Sequence, residues 1–408
     1  MSRRVAVTGM GGVTALGSGW DSIRARLLAC RSAVRYMDEW DDIAGLSTRL
    51  GAPVDGFVLP EHYTRKRIRS MGRVAHFSTR ASELALEDAG LTGSAVLGGG
   101  RTGIAYGSCA GAADAIVEFS TMLSARSTAS ISATTYVRMM PHTTAVNTAL
   151  FLGLRGRVIP TSSACTSGSQ AIGFAYETIA AGLQDVMVAG GAEELTAADA
   201  AVFDVLYATS QKNAEPGRSP APFDRHRDGL VLGEGGCSLI LEEYDHARAR
   251  GAAPYAEIVA FATNCDAAHI TQPRASSMQA CMEEALHQAG LAPSDIGYIS
   301  AHGTATAAGD EAESQATHAV FGLHAPISSL KSYVGHTLGA CGALEAWLSL
   351  AMQREQWFAP TLNLAEPDPQ CAPLDHIIGG IRQLDCEYIM SNNFAFGGVN
   401  TSLVFRRL

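Results

Sequence analysis

The sequence predicts an α/β protein with a mainly parallel sheet covered by helices on both faces. Three observations point there. Short apolar runs alternate with helical patterns along the whole chain. Many of those runs end in Gly, Ser or Asn just before a helix begins, the order expected of strand–turn–helix units. Glycine supplies 42 of the 408 residues, which suits many tight turns and close backbone approaches. The strand candidates are residues 4–10, 102–108, 185–193, 236–244, 296–303, 326–331, 388–393 and 402–407.

A faint internal echo divides the chain in two. One strand-like run leads into SSACTSGSQAIGFAYETIAAG, and PISSLK leads into GHTLGACGALEAWLSLAMQ. Each places a reactive side chain, Cys165 or His336, before an Ala/Gly-rich helix. Small residues before helices are common, so the echo carries little weight alone. The charged segment 245–258 meets Gly and Pro and reads as the joint. The expected halves are residues 1–250 with the cysteine and 251–408 with two histidines.

Composition narrows the class. The chain is 47% hydrophobic and 17% charged, enough for a large core. A formal net charge of −10 argues against non-specific nucleic-acid binding. The nine cysteines are odd in number and form no CxxC pair, which disfavours a disulfide framework or a zinc module. With no apolar run of membrane-spanning length and no signal-like apolar region after MSRRVAVTGMGG, the expectation is a cytoplasmic protein. No metal and no resident cofactor are expected.

Cys165 is the cysteine that stands apart. Ile172, Tyr176, Ile179 and Leu183 follow it at helical spacing, so it sits at or near a helix N-terminus. There the free N–H groups and the helix dipole favour a thiolate with a lowered pKa. The same amides suit a developing oxyanion. The expected use is nucleophilic attack on an acyl group, through a thioester. Cys109, Cys237, Cys281 and Cys341 read as small buried residues. His302 lies in SAHGTATAAGDEAES, and Lys331 and His336 lie in SSLKSYVGHTLGACGALEA. Each histidine sits beside Gly at a strand end, where open α/β sheets carry their sites. The Gly-Gly turn of 391-SNNFAFGGVNTS-402 reads either as a cover over a substrate or as a plain turn between strands.

These segments together resemble the β-ketoacyl-[acyl-carrier-protein] synthases, condensing enzymes of the thiolase fold. The resemblance runs from VAVTGMGG at residue 5 to NTSLVF at residue 405 and rests on SSACTSGS, HGTAT, K-x-x-x-GH and NNFAFGGVN. It implies two similar halves, each with a mixed five-stranded sheet, in an α-β-α-β-α sandwich, and a dimer. It implies that Cys165 accepts an acyl chain from an acyl carrier protein, whose phosphopantetheine arm brings the substrates in. His302 and His336 would bind the malonyl thioester, Cys165 and Phe396 N–H groups would form the oxyanion hole, and Phe396 would gate the site with Phe394 beside it. Lys331 and Glu313 match a charged pair supporting the histidines, and Thr304 and Thr306 match hydroxyls that bind the pantetheine arm. Within the basic stretch 63-YTRKRIRSMGR-73, the carrier-docking positions fall on Lys66 and Arg69, with Lys212 a third; Ser70 stands where a base is usual. A degradative thiolase would show a second cysteine in a CxG motif, which neither Cys371-Ala-Pro nor Cys386-Glu-Tyr provides.

Departures from housekeeping synthase II shape the finer expectation. AFGG stands at 395–398 in place of GFGG, Leu330 precedes Lys331 where Thr is typical, and 138-RMMPHTTAVN-147 is unusual. Cys109 and Ala110 replace a Gly-Ile pair of the acyl pocket. These features look closer to the ketosynthases of aryl-polyene pigment clusters; housekeeping fatty-acid elongation is the alternative. Non-catalytic chain-length factors lack the nucleophilic cysteine, which disfavours that reading, although such a factor remains a candidate partner beside a second copy of the chain.

Overall fold

Ten strands form the central sheet of the computed structural model, which describes residues 3–408. They are β1 (Val5–Thr14), β2 (Thr102–Gly107), β3 (Val158–Thr161), β4 (Val186–Glu193), β5 (Gly235–Glu243), β6 (Ala256–Cys265), β7 (Ile296–Ser300), β8 (Ile327–Ser328), β9 (Tyr388–Phe394) and β10 (Val399–Arg407). Their spatial order is β8-β7-β9-β10-β6-β1-β5-β4-β2-β3. Counted within each set of five, both sets run in the order 3-2-4-5-1. In each set the second strand pairs in parallel with the third and fourth, and the remaining two pairs are antiparallel. The sets meet where Val5, Ala6 and Val7 of β1 oppose Ile258, Glu257 and Ala256 of β6.

The expectation of a mainly parallel sheet is therefore corrected: five of the nine neighbouring pairs are antiparallel. The cause is visible at β9 and β10. Only Ala395, Phe396, Gly397 and Gly398 join them, too few for a crossover helix, so β10 must turn back. The strand expected at 326–331 shrinks to Ile327–Ser328, because Lys331–Val334 forms a helical turn. β6, at the end of the joint, had no counterpart among the sequence-derived strands.

Five layers follow from which faces are apolar. Helix α1 (Arg73–Asp88) packs on β1, β5 and β4 from outside. Helices α3 (Ala275–Ala289) and α4 (Ala307–Phe321) cover the outside of the second set. Helices α2 (Ser167–Ala180) and α5 (Cys341–Arg354) lie between and touch strands of both sets. The strands alternate accordingly: Cys237, Leu239 and Leu241 face the middle layer while Ile240 faces outward. In β10, Leu403 and Phe405 face the middle and Val404 faces α3. Every residue from Cys341 to Gln353 is buried, Glu345, Ser349 and Gln353 included. Leu183 lies past the end of α2 and is exposed, so it is not part of that helix's buried face.

Candidate active site

The polar residues around Cys165 tie down a sharp turn. Ala164 takes a left-handed φ of 51°, unusual for a residue with a Cβ, and Thr166 caps α2. Thr166 Oγ1 donates to the Ser163 carbonyl at 2.7 Å, and Ser167 Oγ donates to the Ala164 carbonyl at 2.7 Å. Ser167 Oγ also accepts from the Ser163 N–H at 2.9 Å. Cys165 is thereby held at the mouth of α2, 5% exposed.

His336 comes from the other half. Its Nε2 lies 3.0 Å from Cys165 Sγ, and its Nδ1 accepts from the Leu338 N–H at 3.2 Å. That donation leaves the proton on Nε2, facing the sulfur. His302 stands nearly perpendicular, with ring centroids 5.3 Å apart. Lys331 Nζ donates to His302 Nδ1 at 3.1 Å, so His302 too carries its proton on Nε2. The two imidazoles thus present N–H donors to one place.

The electrostatics correct one expectation. Burial pushes the Cys165 thiol up to about 11, against the Lys331 charge and the N–H groups of Phe396 and of Cys165 itself. The resting nucleophile is a thiol, because the loss of water outweighs the helix terminus. Those two N–H groups act to lower the thiol pKa from the positions expected of an oxyanion hole. Burial, then the Lys331 charge, holds both histidines well below 6.5, so both are neutral.

The charged support also differs from the expected Lys331–Glu313 pair. Lys331 forms its ion pair with Glu345, both fully buried. Asn393 Nδ2 donates to the other Glu345 oxygen at 2.7 Å. Glu313 instead accepts the His302 and Gly303 N–H groups at 2.8 and 2.7 Å. Burial raises it to about 8. Sequence reasoning missed Glu345 and Asn393. A signal existed for Glu345: a lone acid inside the apolar run GALEAWLSLA demands a buried partner.

A cavity of about 380 Å³ joins these groups to the surface. Cys165, His302, His336, Thr304, Thr306 and Phe394 line it. The hydroxyls of Thr304 and Thr306 lie 2.9 Å apart. Phe394 meets His302 edge-on, and Phe396, also lining, packs against Phe203 at 5.5 Å. The mouth carries Tyr207 and Ile270, 89% and 68% exposed. Cys109 and Ala110 do not line this cavity; their N–H groups bind Glu193. Cys109 joins an apolar cluster with Leu338 and with Phe203, which itself lines the cavity.

The basic stretch forms a recess of about 230 Å³ lined by Lys66, Arg67, Arg69, Ser70 and Asn147, with Leu150 and Phe151. Lys66 and Arg69 are exposed, while the Arg67 guanidinium lies 3.6 Å over the Phe151 ring. Ser70 donates to Asn147 Oδ1 at 2.7 Å rather than facing a partner. Lys212 lies outside this recess. It donates to the His226 carbonyl at 2.7 Å and sits 3.7 Å from Asp228, a residue of the cavity mouth.

Known proteins match this arrangement. The family descriptions "Beta-ketoacyl synthase, N-terminal domain" and "Beta-ketoacyl synthase, C-terminal domain" fit residues 2–247 and 255–365. The chain is 37% identical to 3-oxoacyl-[acyl-carrier-protein] synthase 2 of Vibrio cholerae, over 100% of this chain and 99% of that protein. A β-ketoacyl synthase from Burkholderia phymatum superposes with a TM-score of 0.98 at 60% identity, over 100% of both chains. A type II polyketide ketosynthase solved with its acyl-carrier protein gives 0.89 at 31% identity, again over 100% of both. The chain therefore belongs to the β-ketoacyl synthase family and is an acyltransferase of the 3-oxoacyl-[acyl-carrier-protein] synthase kind.

Proposed function

We propose that the chain extends a Cys165-bound acyl group by decarboxylative condensation with a malonyl group carried on an acyl carrier protein. One observation carries the reading: the Cys165 sulfur and two Nε2–H donors, on His302 and His336, converge in a cavity that reaches the surface. The pantetheine arm enters past Thr304 and Thr306. Cys165 loses its proton as its sulfur attacks the acyl thioester, and the departing pantetheine sulfur takes a proton up. The Cys165 and Phe396 N–H groups hold the tetrahedral oxyanion; losing one such donor costs about 3 kcal/mol in the transition state. A malonyl thioester then places its carbonyl oxygen between the two Nε2–H groups. The bond to the carboxylate breaks, CO2 leaves, and the electron pair passes to the enolate those donors stabilise. The enolate carbon attacks the Cys165 thioester, the new carbon–carbon bond forms, and Cys165 departs as thiolate. The product is a 3-oxoacyl chain two carbons longer.

We assign the pathway to aryl-polyene assembly, on the AFGG loop and Leu330. Housekeeping fatty-acid elongation is the second reading, favoured by full-length identity to proteins named 3-oxoacyl-[acyl-carrier-protein] synthase 2. Purified protein given malonyl-carrier and either a saturated or an aryl-enoyl primer separates them by product mass. Extension of the aryl-enoyl primer is expected; extension of saturated chains alone overturns the pigment assignment, and no extension of either overturns the condensation.

A further inference from the structure

Glu193 ends β4 with its carboxylate 1% exposed and no obvious role in the chemistry above. Its partners are neutral. Ser108 Oγ donates at 2.9 Å, and the N–H groups of Cys109, Gly339 and Ala110 donate at 2.6, 3.1 and 3.4 Å. Burial raises it above the usual carboxylate range, and the donors oppose that rise.

Those donors belong to two segments. Ser108, Cys109 and Ala110 follow β2 in the first half, while Gly339 lies in the turn between His336 and α5. The adjacent residue of that turn, Leu338, donates the N–H that fixes His336 Nδ1. The turn is tightly seated. A Cβ at Gly339 would come within 2.7 Å of Glu193 Oε2 and 3.0 Å of the Cys109 nitrogen, and one at Gly191 within 2.3 Å of the Gly339 oxygen. A single carboxylate on the first half therefore grips the backbone that orients an imidazole of the second.

We propose that Glu193 is a positioning residue for His336: by holding the Gly339 N–H it keeps the Leu338 N–H on Nδ1, and so keeps the His336 proton on Nε2 for the malonyl thioester oxygen. The inference rests on the role given to His336 above. Cys165 acylation builds its oxyanion on two backbone amides outside this link, so it depends on Glu193 less than decarboxylation does, although His336 Nε2 also faces the sulfur.

Three full-length variants test it. In Glu193→Gln the amide oxygen takes the Cys109 and Gly339 N–H groups and the NH2 donates to Ser108 Oγ, giving up only the long 3.4 Å contact with the Ala110 N–H, so function is retained. Glu193→Leu keeps bulk and removes the acceptor. The expected result is a fall of about tenfold in kcat for CO2 release from malonyl-carrier, with KM unchanged. Cys165 acylation from acyl-carrier, followed by intact-protein mass, changes little. 15N spectra of histidine-labelled protein show His336 losing its Nε2–H form in that variant alone. Glu193→Asp, which draws the carboxylate back from Gly339, replaces the Leu variant if the latter does not fold. Equal losses in acylation and decarboxylation, unchanged CO2 release in the Leu or Asp variant, or loss of CO2 release in a thermally intact Gln variant overturns the proposal. Wild-type protein that releases no CO2 overturns the functional reading instead.

Discussion

Lys331 holds a positive charge at 1% exposure because Glu345 neutralises it and His302 accepts from it. Removing one partner of such a pair strands the other charge in the core, at a cost of about 3–5 kcal/mol. Lys331→Met should show that loss in denaturant unfolding, and Lys331→Met with Glu345→Leu should regain part of it. A double variant no more stable than the single one would remove the pair from the account. The histidines predict a pH dependence. A proton added at His336 Nδ1 would face the Leu338 N–H, and one at His302 Nδ1 would face the Lys331 ammonium. Both imidazoles titrate well below 6.5, so they protonate only in acid. CO2 release by Cys165→Gln, in which amide replaces acylated thiol, should stay flat from neutral pH down past 6.5 and fall below that. A midpoint at the ordinary histidine value would contradict the burial argument. Cys165, His302 and His336 were legible because small polar neighbours or an adjacent glycine mark them along the chain, although only His302 follows a strand end; His336 follows the helical turn Lys331–Val334. The raised thiol pKa was not legible, because a helix terminus can be read from sequence and the loss of water around it cannot. Nor was the true partner of Lys331, since only the fold decides which of several acids comes within reach.

The short helix Arg65–Ile68 shows what an element can do without burying anything: none of its four residues is buried. Arg65, Lys66 and Arg69 have no carboxylate ion pair among the described residues, so their charge is available to an acidic partner. Opposite charges mainly speed encounter and fix orientation. Lys66→Glu with Arg69→Glu should raise the apparent KM for carrier-bound substrates and leave small thioesters unaffected, with the difference shrinking at high salt. Equal loss on both substrate types would move the docking face elsewhere. At this scale the sequence disclosed helices α2 and α5 and most strands of the sheet, because period and punctuation are local. It did not disclose β6, whose run follows a charged joint, nor the antiparallel pairings, which depend on where the chain re-enters the sheet.

At the level of the whole molecule, β3 is an edge strand, hydrogen-bonded only to β2, with Val158 42% exposed. The helix Ala113–Ala125 exposes Val117 and Leu123, 64% and 59%. Bare edges and apolar helix faces are normally covered. A second copy, or a chain-length-factor-like relative, is the partner we assign there. Native mass spectrometry of the protein expressed alone should show a dimer that Val117→Glu with Leu123→Glu converts to monomer. A wild-type monomer that dimerises only with a co-expressed relative would favour the mixed pair. Finally, the two five-stranded sets share just three directly opposed residue pairs, at Val5, Ala6 and Val7. Their alignment therefore leans on the middle layer as well, where α2 and α5, the helices that begin beside the sulfur and the imidazole, pack on each other and on strands of both sets. A bulkier side chain deep in that contact would strain the core and at the same time shift the sulfur against the imidazoles, so turnover and melting temperature are both expected to fall.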